Sequence, residues 1–311
     1  MTALDIRNLV KVYDPDVRAL RGINLTVDEG DFFAMLGSNG AGKSTIIGII
    51  SSLISKTSGS VQVFGHDIDT DAVRVKSCIG LVPQEFNFDG YDPIINSILN
   101  VAGYNGIPRR EAKKRAEYFL KKLDLWDKRD SMARHLSGGM QRRAMIVRAL
   151  IHEPKLLILD EPTAGVDIEV RKVMWEYLSE INSQNGTSII LTTHYLEEVE
   201  ELCRNVAIID QGEIIEKGSV VELLSRATVE TFVLTLCQAL TVAPNIDPYV
   251  SRLLSDETQL EVDVSQGQSI TDLFEVLTTK GIDVASLRTK SNRLEEFFIR
   301  LVNQNKAELS A

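Results

Sequence analysis

Three short stretches of the chain combine residue types that handle phosphate. Gly37-Ser38-Asn39-Gly40-Ala41-Gly42-Lys43-Ser44, followed by Thr45, has the spacing G-x-x-x-x-G-K-[ST]. Glycines there let the backbone curl so that successive N–H groups face phosphate oxygens. A helix start behind them adds positive potential. Lys43 would reach the β- and γ-phosphates of ATP, and Ser44 would ligate Mg²⁺. Leu156-Leu-Ile-Leu-Asp160-Glu161-Pro162 is an apolar run ending in two carboxylates. Asp160 would hold Mg²⁺ through water, and Glu161 would polarise the attacking water. Read alone, this run is equally a buried strand ending in a solvated acidic turn. Leu136-Ser137-Gly138-Gly139-Met140 is a second glycine-rich helix start. By itself, Ser-Gly-Gly is also an ordinary helix cap. A single ATP needs one P-loop, so a second anion-reading helix start suggests an ATP held by another subunit.

These stretches need elements to hold them. Asp31–Gly37 is an apolar strand ending in glycine, and a helix is expected from about Lys43 to Ile54, which is the context the first motif requires. Ahead of it, Leu4 and Ile6, then Ile23, Leu25 and Val27, alternate as strands. Short strands are expected at Val61–Phe64 and Ile79–Val82. From Tyr91 to about Arg134 the chain turns helical and highly charged, with Ala112, Ala116, Phe119, Leu120 and Leu123 at helical spacing. The α/β alternation resumes with a strand at Lys155–Asp160, a helix at Ile168–Ser183, a strand at Ser188–Thr192 and a helix at Tyr195–Cys203. Gln211-Gly212 then joins two strands as a hairpin. The pattern predicts a mainly parallel sheet with helices on its faces. Beyond Ala227, strands at Thr231–Leu236, Leu260–Val264 and Val284–Arg288 and helices at Ser269–Thr279 and Leu294–Val302 predict a small α+β appendix. Pro244 and Pro248 mark a loop. The expected division is an ATPase domain over 1–226, with a helical insert over about 91–152, and an accessory domain over 227–311.

Composition narrows the classes. The 311 residues are 44% hydrophobic and 25% charged, enough apolar surface for a substantial core. A net charge of -10 argues against a nucleic-acid partner, which needs Lys and Arg to replace phosphate counterions. No apolar run reaches the length of a membrane span, and Met1–Val10 does not resemble a secretory signal, so a cytosolic chain is expected. Cys78, Cys203 and Cys237 have no C-x-x-C spacing and sit among apolar neighbours, which predicts reduced, buried thiols. His66, His135 and His152 lack a functional context, and Trp126 and Trp175 read as packing residues.

Taken in order, the P-loop, Leu136-Ser-Gly-Gly-Met140, Leu156–Pro162 and Thr192-Thr-His194 resemble the ATPase subunit of ATP-binding cassette (ABC) transporters, over roughly Ala3–Leu224. The appendix, with Arg293-Leu-Glu-Glu-Phe-Phe-Ile299, is similar to the tail of bacterial ABC-2 exporter ATPases. The resemblance implies an ABC ATPase fold of the P-loop NTPase kind. It gives Tyr13 the role of stacking on adenine. It places Gln84 on Mg²⁺ and the attacking water, and puts Gly165-Val-Asp167 in a loop that crosses between subunits. It gives His194 a contact with the γ-phosphate and with Glu161. It further implies a homodimer sharing two ATP sites and a separate integral membrane permease as partner. The chain would sit on the cytoplasmic face of the inner membrane through that permease and favour export. Ser38, Met140 and Val166 replace residues more common in the family, yet none is a phosphate ligand, metal ligand or base. Two rival readings fit less well. A soluble ABC protein acting on ribosomes usually has two ATPase modules in one chain, and one acting in DNA repair needs a long coiled coil between Lys43 and Ser137. A metabolic P-loop kinase has no use for the Ser137 motif or His194.

Overall fold

A computed structural model describes residues 1–13, 17–226, 229–265 and 267–290, with 294, 295, 297–299, 301 and 305 beyond them. Of the helix expected at 294–302, the described positions are helical, while Glu296, Arg300 and Val302, like Arg293 before them, lie outside the described residues. The chain separates into two compact units, Met1–Ser219 and Val220–Ala311.

The first unit opens with two long strands, β1 (Thr2–Tyr13) and β2 (Val17–Asp28). β3 (Phe32–Leu36) follows, buried at all five positions, and delivers the chain to α1 (Lys43–Ile50). This helix stops short of the expected Ile54. Ser52 adopts a left-handed φ of 57°, and the N–H groups of Leu53 and Ile54 both turn back to the Gly48 carbonyl, at 2.8 and 2.9 Å. β4 (Ser58–Val63), β5 (His66–Asp67), α2 (Ala72–Cys78) and β6 (Ile79–Val82) come next. The charged stretch holds α3 (Ile94–Tyr104) and α4 (Arg109–Lys122), and Ala112, Ala116, Phe119 and Leu120 are its buried stripe. α5 (Gly138–Leu150) leads to β7 (Leu156–Asp160), α6 (Ile168–Asn185), β8 (Ser188–Thr193) and α7 (Leu196–Leu202). β9 (Asn205–Asp210) and β10 (Glu213–Ser219) close the unit.

These strands make two sheets. One is antiparallel, in the order β2-β1-β4-β5; the other runs β10-β9-β3-β8-β7-β6, parallel throughout except for its β10 edge. α1 lies in the core between them. Its Ile46, Ile47, Ile49 and Ile50 share one apolar cluster with Leu4, Ile6 and Leu25 of one sheet and Met35, Ile158 and Ile190 of the other. The helix behind the phosphate motif is therefore clamped on two sides, which fixes the direction of its N-terminus.

In the second unit, α8 (Val220–Arg226) precedes β11 (Val229–Leu236), β12 (Val250–Leu253) and β13 (Gln259–Ser265). α9 (Ile270–Thr279) and β14 (Val284–Thr289) complete it. The sheet is antiparallel, in the order β12-β13-β11-β14, and packs Phe232, Leu234, Leu260 and Val262 against Leu273 and Leu277 of α9. The Ser269 hydroxyl caps α9 by accepting from Thr271 and Asp272. Cysteine burial departs from expectation: Cys203 is buried, Cys78 is half-buried and Cys237 is exposed, because Cys237 sits just past the end of β11 and outside the apolar cluster.

The β9–β10 hairpin bears directly on the phosphate loop. Gln211 and Gly212 both have positive φ, 46° and 82°, the geometry of a two-residue type I′ turn. The Gly212 N–H donates to the Ala41 carbonyl at 3.0 Å, and its carbonyl accepts from Arg21 N–H at 2.9 Å. A side chain at 212 would meet the Ala19 carbonyl oxygen at 2.6 Å. Gly212→Ala is expected to destabilise the protein by about 1–3 kcal/mol, from backbone strain and this clash. Urea denaturation checks this, and an unchanged midpoint would count against the packing described.

Candidate functional site

Four neighbouring parallel strands, β3, β8, β7 and β6, point their C-terminal ends to one edge of the sheet. Such an edge is where open α/β sheets hold ligands. From these ends project the Gly37–Thr45 loop, His194, Asp160-Glu161 and Gln84 in turn. They frame a cleft of 360 Å³ lined by Ala19, Asn39, Gly40, Ala41, Gly42, Lys43, Ser44, Thr45, Gln84 and Glu161. Gly37 and Ser38 do not line it, but their carbonyls accept from Lys43 Nζ at 2.6 and 3.0 Å. Gly42 has φ 111°, and a Cβ there would meet Leu20 Cδ2 at 2.8 Å and the Ala19 carbonyl at 2.9 Å. The loop can curl this tightly against β2 only with glycine. No acidic side chain occupies the first turn of α1, so its N-terminus stays electropositive.

The charges are mostly buried. Lys43 is 6% exposed, Asp160 7% and Glu161 8%. Burial pushes the Lys43 ammonium below the ordinary lysine value, while Glu161 and Asp160 pull it back up. Thr192, fully buried in β8, donates from Oγ1 to Asp160 Oδ1 at 2.5 Å. Glu161 N–H reaches the same Thr192, its carbonyl at 3.0 Å and its hydroxyl at 3.2 Å. Glu161 itself has φ 48°, a left-handed conformation that is strained for a side chain of this kind. Its carboxylate is gripped on both oxygens. Gln84 Nε2 donates to Oε2 at 3.2 Å, and His194 Nδ1 lies 3.4 Å from Oε1. Such a carboxylate can orient a water against a phosphate placed over the loop.

Tyr13 stands beside the cleft at the end of β1. It is 38% exposed, its hydroxyl is 3.5 Å from Thr45 Oγ1, and Lys11 Nζ lies 4.7 Å from the ring centroid. An exposed ring here can stack on a base. Among the described residues no group of three or more His, Cys, Asp or Glu could enclose a metal ion. The available donors, the exposed Ser44 hydroxyl and the Asp160 carboxylate, are hard oxygens. That set fits Mg²⁺, which takes one or two protein oxygens and completes its shell with phosphate and water.

Ser137, Gly138, Gly139 and Asp167 are placed elsewhere and do not line this cleft. Ser137 Oγ caps α5 by accepting from Met140 N–H at 3.3 Å, and Asp167 Oδ1 caps α6 by accepting from Val170 N–H at 2.9 Å. Gly139 packs against Val166 and Val170, which brings the two helix starts side by side. Ser137, Gly138, Gly165 and Asp167 are all exposed on that surface. The Ser137 helix start thus faces outward, apart from the cleft lined by the Gly37–Thr45 loop.

Sequence reading alone gave no role to Thr192, although the Thr-Thr-His string held it. It also passed over the buried Glu198, which accepts from Thr163 Oγ1 and from Trp175 Nε1, the latter at 3.3 Å, and so ties the turn after Glu161 to α7. His152, for which no role was expected, donates from Nε2 to the Ile79 carbonyl, 3.0 Å away, and helps anchor β6.

A sequence model described as ABC transporter matches residues 20–164. The linearmycin resistance ATP-binding protein LnrL of Bacillus subtilis is 35% identical over 97% of this chain and 98% of its own length. The Nod factor export ATP-binding protein I of Cupriavidus metallidurans is 38% identical, covering 72% of this chain and 74% of that protein. The methionine import ATP-binding protein MetN of Photorhabdus laumondii is 37% identical over 68% and 62%. Among solved structures, a dimeric post-hydrolysis state of an ATP-binding cassette with ADP and Pi superposes with a TM-score of 0.65, at 26% identity, covering 70% of this chain and 98% of that one.

Lys43→Ala removes the ammonium that Asp160 and Glu161 act on and that would meet the phosphates. ATP affinity is expected to fall by at least about 100-fold. Titration with a fluorescent ATP analogue measures it, and affinity close to the parent's would remove Lys43 from the site.

Proposed function

The chain belongs to the ABC transporter family as an ATP-binding, ATP-hydrolysing subunit, and from that premise we propose that it works as a homodimer energising export through a separate membrane permease. Two ATP molecules would lie between the chains. Each would be held by Gly37–Thr45 of one chain and covered by Ser137, Gly138 and Gly139 of the other. The observation that carries this reading is the second glycine-rich helix start at Ser137, which is exposed and lies outside its own chain's cleft.

Within one composite site, Lys43 would bind the β- and γ-phosphates and Tyr13 would stack on the adenine. Ser44, Asp160 and Gln84 would hold Mg²⁺, which when bound neutralises charge developing on the transferred phosphoryl oxygens. Glu161 would orient and polarise the water. His194 and Gln84 keep the Glu161 carboxylate aimed, and His194 would also touch the γ-phosphate. Asp167 would reach across to the facing chain. ATP closes the pair, and hydrolysis with phosphate release lets it open.

Support for export comes from the Nod factor export relative, and LnrL, a resistance protein by name, aligns with 97% of this chain, whereas the methionine import relative aligns with 68% of it. A drug-like or lipidic cargo fits that likeness. Residues 1–226 would form the ATPase domain, with the insert over about 91–152. Residues 227–311 would form a non-catalytic accessory domain acting on the dimer or its regulation. Among the described residues no helix is long and apolar enough to cross a membrane, so the permease would be another chain and would hold this one at the cytoplasmic face of the inner membrane.

Mixing two inactive variants tests the shared site. Ser137→Arg chains keep their P-loop and Lys43→Ala chains keep their Ser137 surface, so only a mixed dimer has one whole site. Each variant alone is expected to lose ATPase activity, and activity is expected to appear on mixing. Normal hydrolysis by Ser137→Arg alone would contradict the two-chain site. Fractionation of cells tests the permease: the chain should sediment with membranes that contain it, and a wholly supernatant distribution would contradict that partner.

A further inference from the structure

Arg142 lies on α5, five residues after Ser137, and is 3% exposed. Its guanidinium forks onto two successive carbonyls, donating from Nη1 to Pro83 and from Nη2 to Gln84, each at 2.8 Å. It also covers the Phe86 ring, 4.9 Å from the centroid. Two further arginines extend the same contact. Arg148 lies 4.6 Å over Phe88 and donates to the Asn87 carbonyl and side chain, and Arg134 lies 4.3 Å over Tyr91. The segment 83–91 is thereby stapled to α5 and the turn before it.

Stability alone does not account for Arg142. Burial works against its charge, with only partial relief from Asp160 and Glu161, and its Nε has no hydrogen-bond partner. A well-packed apolar residue of similar volume generally serves stability as well or better. What the guanidinium adds is direction, since its planar fork fixes both carbonyls at once. Those carbonyls belong to the residues that aim the Gln84 amide, 3.2 Å from Glu161 Oε2.

We propose that Arg142 is a positioning residue for ATP hydrolysis, setting Gln84 against Glu161 and tying that setting to the helix that presents Ser137. The proposal rests on the roles given above to Gln84 and Glu161. Its consequence is a link between the two half-sites of one chain. When Ser137–Gly139 meets the partner's nucleotide, any shift of α5 is carried through Arg142 to the Gln84 loop of the chain's own site.

The test is a double-mutant cycle on the full chain, with Arg142→Met, Gln84→Ala and the pair, read as kcat, KM and ATP affinity. Arg142→Met keeps much of the volume and removes the fork. It is expected to lower kcat by about 10- to 100-fold, the cost of a small misplacement, with KM and ATP affinity within about threefold of the parent. In the Gln84→Ala background it should cost nothing further. A merely structural role would weaken ATP binding together with kcat and would add its full cost in both backgrounds. Arg142→Lys keeps the charge but not the fork, is expected to be similarly slow, and carries the same test if the Met variant does not fold. Parental kcat in a folded Arg142 variant, or an undiminished loss in the Gln84→Ala background, overturns the link alone. Parental kcat in Gln84→Ala overturns both the link and the reading of Gln84 beneath it.

Discussion

Asp160 and Glu161 are adjacent, buried and acidic, and keeping both in place constrains everything around them. Two neighbouring carboxylates removed from water need compensation by charge and hydrogen bonds. Lys43 and Arg142 supply the charge. Thr192 supplies a bond to Asp160, and Gln84 and His194 supply the partners of Glu161. The compensating groups come from four elements: α1, α5, the end of β6, and β8 with the turn after it. The strand order β3-β8-β7-β6 is what brings these ends together, and the burial of α1 between two sheets is what holds Lys43 there.

Much of this was legible in the sequence. Glycine spacing in Gly37–Ser44 reports the backbone's need for positive φ and close approach, and the structure has Gly42 where no Cβ fits. The run Phe32–Leu36 is apolar throughout and Leu156–Asp160 at every position but the last, and both are buried interior strands. Gln211-Gly212 announced a hairpin and forms one.

What could not be read has physical reasons. The left-handed backbone of Glu161 is imposed by the turn after β7, and glutamate carries no signal for it. Arg142 looks like one more cation in a basic helix, and only the path of the 83–91 loop turns it inward. Thr192 and Glu198 act across β8 and α7, through contacts more than thirty residues apart in sequence for Thr192–Asp160 and Glu198–Thr163. β12 is a four-residue strand between loops, too short for a periodic pattern, and α1 ends early because backbone bonds to Gly48 outcompete the apolar run.

A single chain keeps its Ser137–Gly139 surface and Asp167 outside its own cleft, so the account depends on ATP bringing two chains face to face. The most direct measurement is the mass of Glu161→Gln with ATP and Mg²⁺, by size-exclusion chromatography with light scattering. This variant keeps the shape of the site and loses the group that orients water, so bound ATP should persist. The account predicts a dimer with ATP retained, and a monomer when ADP replaces ATP. A Glu161→Gln chain that holds ATP at saturation yet remains a monomer at concentrations well above its ATP affinity would contradict it.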